Sequence, residues 1–291
     1  MIIWLASYPK SGNTMLRAML SAYFYTQNGI FNFDLLKNIR QFPDVSLFEK
    51  FKIDISNEDQ VLKNYIFIQS KIREKFNNKI IFLKTHSALL DVNKHKFTNL
   101  INSLGVIYIV RDPRNIVLSL ANHSSLSVEE AMRNILEFRI FGGNINSNKP
   151  ENRIKTHVGS WSIHYKSWKL FDLDKKYFLI KYEDLINDPE NIFLQVLRFL
   201  SILVKKEIKI DRNKIKNLLD TTSFEYMKNL ENKFGFIEAT TNKLNKKNKF
   251  FYKGKNNDWK QKLDNKTSNK IEESFFEEMK ELKYLWLIFI L

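Results

Sequence analysis

Four short blocks of the chain are apolar almost without interruption: Ile2 to Ala6, Lys79 to Lys84 (K-I-I-F-L-K), Val106 to Val110 (V-I-Y-I-V) and Tyr177 to Lys181 (Y-F-L-I-K). Blocks this short, rich in β-formers and bounded by polar residues, read as strands buried on both faces. Between them the apolar residues fall at helical spacing. Leu16, Met19, Leu20 and Tyr23 share one stripe, Trp161, Tyr165 and Trp168 another, and Ile192, Phe193, Val196, Leu197 and Leu200 a third. Strands alternating with helices predict an α/β fold with a central parallel sheet covered by helices on both sides. No internal repeat or low-complexity linker divides it, so one domain over residues 1–291 is expected.

Local signals place further elements. Ser56, followed by Glu58 and Asp59, reads as the cap of a helix running to Phe76 and broken by Asn77 and Asn78. His95 to Leu104 reads as a helix closed by Gly105, and Ser127 with Glu130 as a capping box opening a helix that ends near Phe141. Asp188-Pro189 opens another, short helices follow near Ile215 and from Phe224 to Leu230, and Asn265 to Lys283 reads as the last. Thr26 to Ile55 is an irregular insertion that could line a pocket or simply pack. Gly142 to Thr156, rich in Gly, Asn and Lys, predicts a mobile loop over the site.

Composition narrows the classes. The chain has 291 residues, 44% of them hydrophobic, enough for one large core. It has no cysteine, which excludes disulfides, thiolate metal sites and Cys nucleophiles and fits a reducing compartment. The first strand begins at residue 2 and leaves nothing to cleave, so a cytoplasmic protein is expected. The apolar run Tyr284 to Leu291 is too short to span a bilayer; burial is the expected role, with an oligomer contact or surface anchor as alternatives. The net charge is +15. That balance favours anionic ligands, but Lys and Asn abound throughout, and no zinc-finger spacing or RNA-binding aromatic strand accompanies it. Nucleic acid is not expected as a partner.

The chemistry gathers at the carboxyl ends of these strands, where open α/β sheets bind ligands. After Ile2 to Ala6, a turn through Ser7 to Thr14 leads into a helix. Strand, small-residue turn and helix aim free backbone N–H groups at an anion. Lys10 adds a charge and Ser11 and Thr14 add hydroxyls, so the simplest occupant is a phosphate. The turn is not a Walker A loop, because Lys10 precedes Gly12 instead of following a second Gly. Lys84 and His86 share a face of the second strand, roughly 6–7 Å apart along the chain, which puts a cation beside a potential base. Arg111 closes the third strand and Ser119 sits two turns into the helix opened by Pro113. A guanidinium fork there suits a phosphate dianion.

These strings together resemble the sulfotransferases. Y-P-K-S-G-N-T-M at Tyr8 to Met15 is similar to the family's Y-P-K-S-G-T-T-W phosphosulfate loop, with Asn13 for the first Thr and Met15 for the Trp. K-T-H at Lys84 to His86 is similar to the string carrying the family's catalytic base. Arg111 and Ser119 have the spacing of its 3′-phosphate clasp, and G-S-W at Gly159 to Trp161 is common in bacterial members. His164, three residues on, reads as structural ahead of lining the pocket. In the family the Tyr of Y-E-D-L, here Tyr182, touches the adenine, and S-F-E-Y-M-K-N-L-E from Ser223 again resembles it. F-F-Y-K-G-K-N-N-D-W-K at Phe250 to Lys260 resembles F-x-R-K-G-x-x-G-D-W, which closes over the nucleotide. Lys253 and Gly254 match, Tyr252 stands for the Arg and Asn257 for the Gly, leaving Lys249 or Lys255 to compensate. The family's dimer motif is not matched after Trp259, and the oligomeric state stays open.

The resemblance covers nearly the whole chain. It implies a P-loop NTPase-like fold, 3′-phosphoadenosine 5′-phosphosulfate as co-substrate, and sulfuryl transfer to a hydroxyl or amine of a small-molecule, lipid or sugar acceptor. It assigns His86 as base, Lys10 and Lys84 to the leaving phosphate, and Lys10, Ser11, Gly12, Asn13, Thr14, Met15, Arg111, Ser119, Tyr182, Tyr252, Lys253 and Gly254 to the nucleotide. No metal is expected; Asp112, flanked by Arg111 and Arg114, is the nearest candidate for a magnesium ligand. Two other readings stand beside this one: a nucleotide-dependent small-molecule kinase, and an inactive module that binds polyanions.

Overall fold

The computed structural model describes residues 1–77, 79–149, 153–240, 247–254 and 258–285. Its strands are β1 (Ile2–Ser7), β2 (Ile81–Thr85), β3 (Asp91–Val92), β4 (His95–Lys96), β5 (Ser103–Val110), β6 (Ile140–Phe141), β7 (Thr156–His157) and β8 (Tyr177–Lys181). Among the described residues, β2-β1-β5-β8 form the central sheet, and every neighbouring pair in it is parallel. The chain leaves β1 on one side for β2 and then crosses to β5 on the other. The order therefore reverses beside β1, which opens a crevice at the strands' carboxyl edge.

Alternating side chains explain the two covered faces. Ile2, Trp4 and Ala6 of β1 join Val106, Tyr108 and Val110 of β5 in one core, while Ile3 and Leu5 join Ile107 and Ile109 in the other. Helix α1 (Asn13–Tyr25) packs Leu16, Met19 and Leu20 on the second face, and Pro189–Val204 adds Phe193, Val196, Leu197 and Leu200. The Trp161–Trp168 helix covers the first face, where Trp4, Phe42, Phe97 and Trp168 touch edge to face or tilted. Each such side chain taken fully from water contributes roughly 1.5–3 kcal/mol, so the sheet is held from both sides.

Several expected elements differ. The segment His95 to Leu104 is no helix. β3 and β4 form a hairpin, with Asn93 and Lys94 at φ 49° and 67° making the two-residue turn that a tight hairpin favours. Thr98 donates to Gln69 Oε1 at 2.5 Å, and Gln69 Nε2 donates to the Phe97 carbonyl. Side-chain bonds of this kind compete with a helix ladder. Gly105 lies within β5 under Leu203, where a Cβ would meet Leu203 Cδ1 at 2.7 Å. The helix expected from Ser56 is two, Glu58–Lys63 and Tyr65–Lys75. Asn57 supplies the cap, and Asn64 at the break bonds back to the Gln60 carbonyl. The Ser127 capping box is present, but its helix stops at Leu136, and β6 and β7 then pair as a hairpin that takes Thr156 out of the expected loop. The last helix is also split, Asn265–Ser274 and Phe276–Glu281. No helix among the described residues is long and apolar enough to cross a membrane. Tyr284 of the apolar tail is buried; the tail beyond residue 285, with Asn78, Lys255 and Asn257, lies outside the described residues.

Candidate active site

β1 ends in a turn shaped by two left-handed backbone positions and one close aromatic ring. Lys10 and Gly12 take φ of 69° and 98°, and a Cβ on residue 12 would stand 2.2 Å from Tyr182 Cδ2. Glycine is required there both for its backbone and for the approach of the ring. Asn13, at the family's Thr position, donates Nδ2 to the Leu5 carbonyl at 2.9 Å and to Ser7 Oγ at 3.2 Å, tying the helix start to the strand end. α1 has no side-chain cap, and its first residues, Asn13 to Met15, lie at the crevice edge. Ser11 Oγ is buried with no hydrogen-bond partner among the described residues, as are Asn13 Oδ1 and Arg111 Nε. Two of these, the Ser11 hydroxyl and Arg111 Nε, are donors and fit a bound anion beside an uncapped helix start, whereas Asn13 Oδ1 only accepts.

A cavity of about 920 Å³ opens over this turn. Lys10, Gly12, Asn13, Thr14, Met15, Lys84, His86, Arg111, Ser119, Tyr182, Tyr252, Lys253 and Gly254 all line it. Ser11 is the one expected site residue set behind the wall. Lys249 points elsewhere, its Nζ 2.7 Å from Asn232 Oδ1.

Arg111 is held from two sides. Its Nη1 donates to the Lys10 carbonyl at 3.0 Å, and its guanidinium lies 4.3 Å from the Tyr182 ring centre. Lys10 Nζ sits 4.0 Å over the Phe250 ring, and burial pulls its ammonium down to about 7, against the opposing pull of Glu238. Beyond β2, His86 Nδ1 lies 2.8 Å from the Ser7 carbonyl. A carbonyl only accepts, so Nδ1 carries the proton and Nε2 keeps its lone pair. Burial first, and Lys84 second, lower the His86 pKa to about 3, so the imidazole is neutral at pH 7. His164 is structural: Nε2 donates to the His86 carbonyl at 3.2 Å and Nδ1 accepts from the Tyr108 hydroxyl at 2.8 Å. Asp112 is engaged by Arg114, whose backbone N–H, Nε and Nη2 all donate to its carboxylate.

Four contributors were not singled out by the sequence. Glu231 accepts from the backbone N–H groups of Phe250 and Phe251 at 2.7 and 2.9 Å and so fixes the segment that carries Tyr252 and Lys253. Glu238 enters the cavity beside Lys84 and Arg17. Gln41 lines it from the Thr26 to Ile55 insertion, which runs along β2 through Phe42 N–H to the Lys84 carbonyl. His123 lines it from the Pro113–Ser124 helix. The acidic pair carried weak signals: Glu231 ends the S-F-E-Y-M-K-N-L-E string, and Glu238 is a lone carboxylate ahead of a lysine-rich stretch.

A parallel sheet whose first strand turns through a glycine into an uncapped helix, with cations collected at the strands' carboxyl edge, defines an α/β protein with the geometry of an anion site. The chain belongs to the sulfotransferase domain family, whose model matches residues 2–283. An amine sulfotransferase of Oryctolagus cuniculus is 25% identical over 64% of this chain. That match spans 58% of the rabbit protein's own length. A flavonol 3-sulfotransferase of Flaveria bidentis is 25% identical over 95% of this chain and 81% of its own. The mouse sulfotransferase SULT7A1, solved in complex with PAP, superposes with a TM-score of 0.60 at 21% identity, covering 96% of this chain and 84% of that one, a likeness of fold.

Proposed function

We propose that the protein is one sulfotransferase domain that uses 3′-phosphoadenosine 5′-phosphosulfate to sulfate a hydroxyl or amine of a small-molecule, lipid or sugar acceptor, in a cytoplasmic setting. The observation that carries this is the convergence of Lys10, Lys84, His86 and Arg111 on one cavity over an uncapped helix start. The nucleotide supplies, when bound, a sulfuryl group activated by a phosphate leaving group. Arg111, Ser119 and Lys253 would hold its 3′-phosphate, and Tyr182 its base. Ser11, Gly12, Asn13, Thr14 and Met15 would hold the 5′ end. Neutral His86, its tautomer set by the Ser7 carbonyl, takes the acceptor's proton on Nε2. Lys10 and Lys84 stabilise charge gathering on the leaving oxygen. The kinase reading needs a carboxylate for magnesium, and Asp112 is given over to Arg114.

Calorimetry with 3′-phosphoadenosine 5′-phosphate, followed by an acceptor screen with labelled donor, tests the class. His86→Ala is expected to lower turnover by ~10²–10⁴ while leaving nucleotide affinity within about twofold. Undiminished turnover with the true acceptor would remove His86 from the role of base.

A further inference from the structure

Glu238 is not part of any string that carries the resemblance, yet it is the acidic centre of the cavity's strand-end side. Lys84 Nζ lies 3.3 Å from each of its oxygens, Arg17 Nη1 2.5 Å from Oε1, and the Thr14 hydroxyl donates to Oε2 at 3.3 Å. These donors come from the first two turns of α1 and the end of β2, the elements that frame the anion site. Lys10 of the same turn also feels its charge.

Resting on the donor reading above, we propose that Glu238 is an internal occupant of the transfer site: its carboxylate, backed by Arg17, holds Lys84 and Thr14 where the 5′ end of the donor must be held, so that nucleotide and Glu238 compete for the same groups. Three observations favour competition over a fixed brace. The Glu238 side chain is a quarter exposed, on the cavity side, whereas those of Lys84 and Arg17 are 5% and 9% exposed. Its backbone belongs to no helix or strand, so side-chain rotations alone can carry the carboxylate away. Its flanks stay anchored meanwhile: Phe236 is buried in the second core, the Ala239 carbonyl accepts from Lys149 Nζ, and Thr240 donates to the His123 carbonyl. The cations are thus kept paired and aimed before the nucleotide arrives, and the apparent affinity is the intrinsic one multiplied by the fraction of molecules in which Glu238 is displaced.

The test is calorimetry on wild type and Glu238→Gln with two nucleotides, 3′-phosphoadenosine 5′-phosphate and adenosine 3′-monophosphate. Gln keeps the shape and removes the charge. Affinity for the bisphosphate is expected to rise about tenfold, with less than about twofold change for the 3′-monophosphate, which has no 5′ group to compete. Equal gains for both would mean a general field effect, and a loss for the bisphosphate would make Glu238 a brace; either overturns the proposal. Should Glu238→Gln fail to fold, Glu238→Asp keeps the charge and withdraws the carboxylate by one methylene, and a smaller gain confined to the bisphosphate is expected. If wild type binds neither nucleotide, the donor reading falls. Inorganic sulfate then decides: stabilising Glu238→Gln against heat more than wild type supports the internal anion, and equal stabilisation overturns it.

Discussion

The cavity's two sides are made of different material. The strand-end side is built from the last residues of β1, β2 and β5 and the first turn of α1, with Ala6, Ser7 and Thr85 wholly buried behind it. Its polar groups are pinned to backbone carbonyls: Asn13 to Leu5, Arg111 to Lys10, His86 to Ser7. The hairpin side is built from Phe141 and Thr156 of β6 and β7, Asn144, Ser147 and Lys149 between them, and Gln41 from the insertion. There a two-stranded ribbon joined by a long connection sets the wall. A packed sheet fixes chemistry to within a fraction of an ångström, while loops can change without disturbing it. The proposed function assigns the reaction to the first side and the choice of acceptor to the second.

Substitutions on each side sharpen this division. Arg111→Ala is expected to weaken 3′-phosphoadenosine 5′-phosphate by about 10–100-fold, the loss of a charge-assisted pair. Adenosine 5′-phosphate, without the 3′ group, should change little; calorimetry with both nucleotides separates the outcomes, and equal losses would remove Arg111 from the clasp. A smaller effect follows from Lys10. Its folded pKa near 7 lies below the usual value for lysine, and a bound anion raises it again. Nucleotide binding therefore takes up a proton above pH 7, and affinity is expected to fall as pH rises from 7 to 8, by at most about tenfold. Calorimetry in buffers of different ionisation enthalpy counts that proton, and no uptake at pH 8 would contradict the assignment. The smallest effect belongs to the hairpin side. Phe141→Ala is expected to raise the acceptor KM about three- to tenfold by removing one apolar contact, with nucleotide affinity unchanged. A change in nucleotide affinity instead would dissolve the distinction between the two sides.

The strand-end side was legible because its signals are local. A contiguous apolar block, a lysine and glycine at fixed spacing, and an Arg at a strand end each follow from neighbours in the chain. Four strands were found within a few residues, and all but Ser11 of the expected site residues line the cavity. The hairpin side was not legible, since β6 and β7 are two residues each and are created by pairing across the chain. His95 to Leu104 failed for the same reason: its helix-like spacing gave way to an Asn-Lys turn and to Phe97 packing on Trp4. Glu231 and Glu238 act through partners many residues away, Phe250 in one case and Arg17 and Lys84 in the other, and single-chain periodicity carries no trace of such pairs.

Gly12 lies against Tyr182, and Tyr182 against Arg111, so one ring joins the two grips that the proposed function places on the nucleotide. Main chain, phenol and guanidinium are layered like leaves of a spring, so that thickening the lowest leaf tilts the uppermost. Under the proposed function, residue 12 governs how a distant phosphate is received as much as how the near one is, and a side chain there is expected to misalign both grips at once.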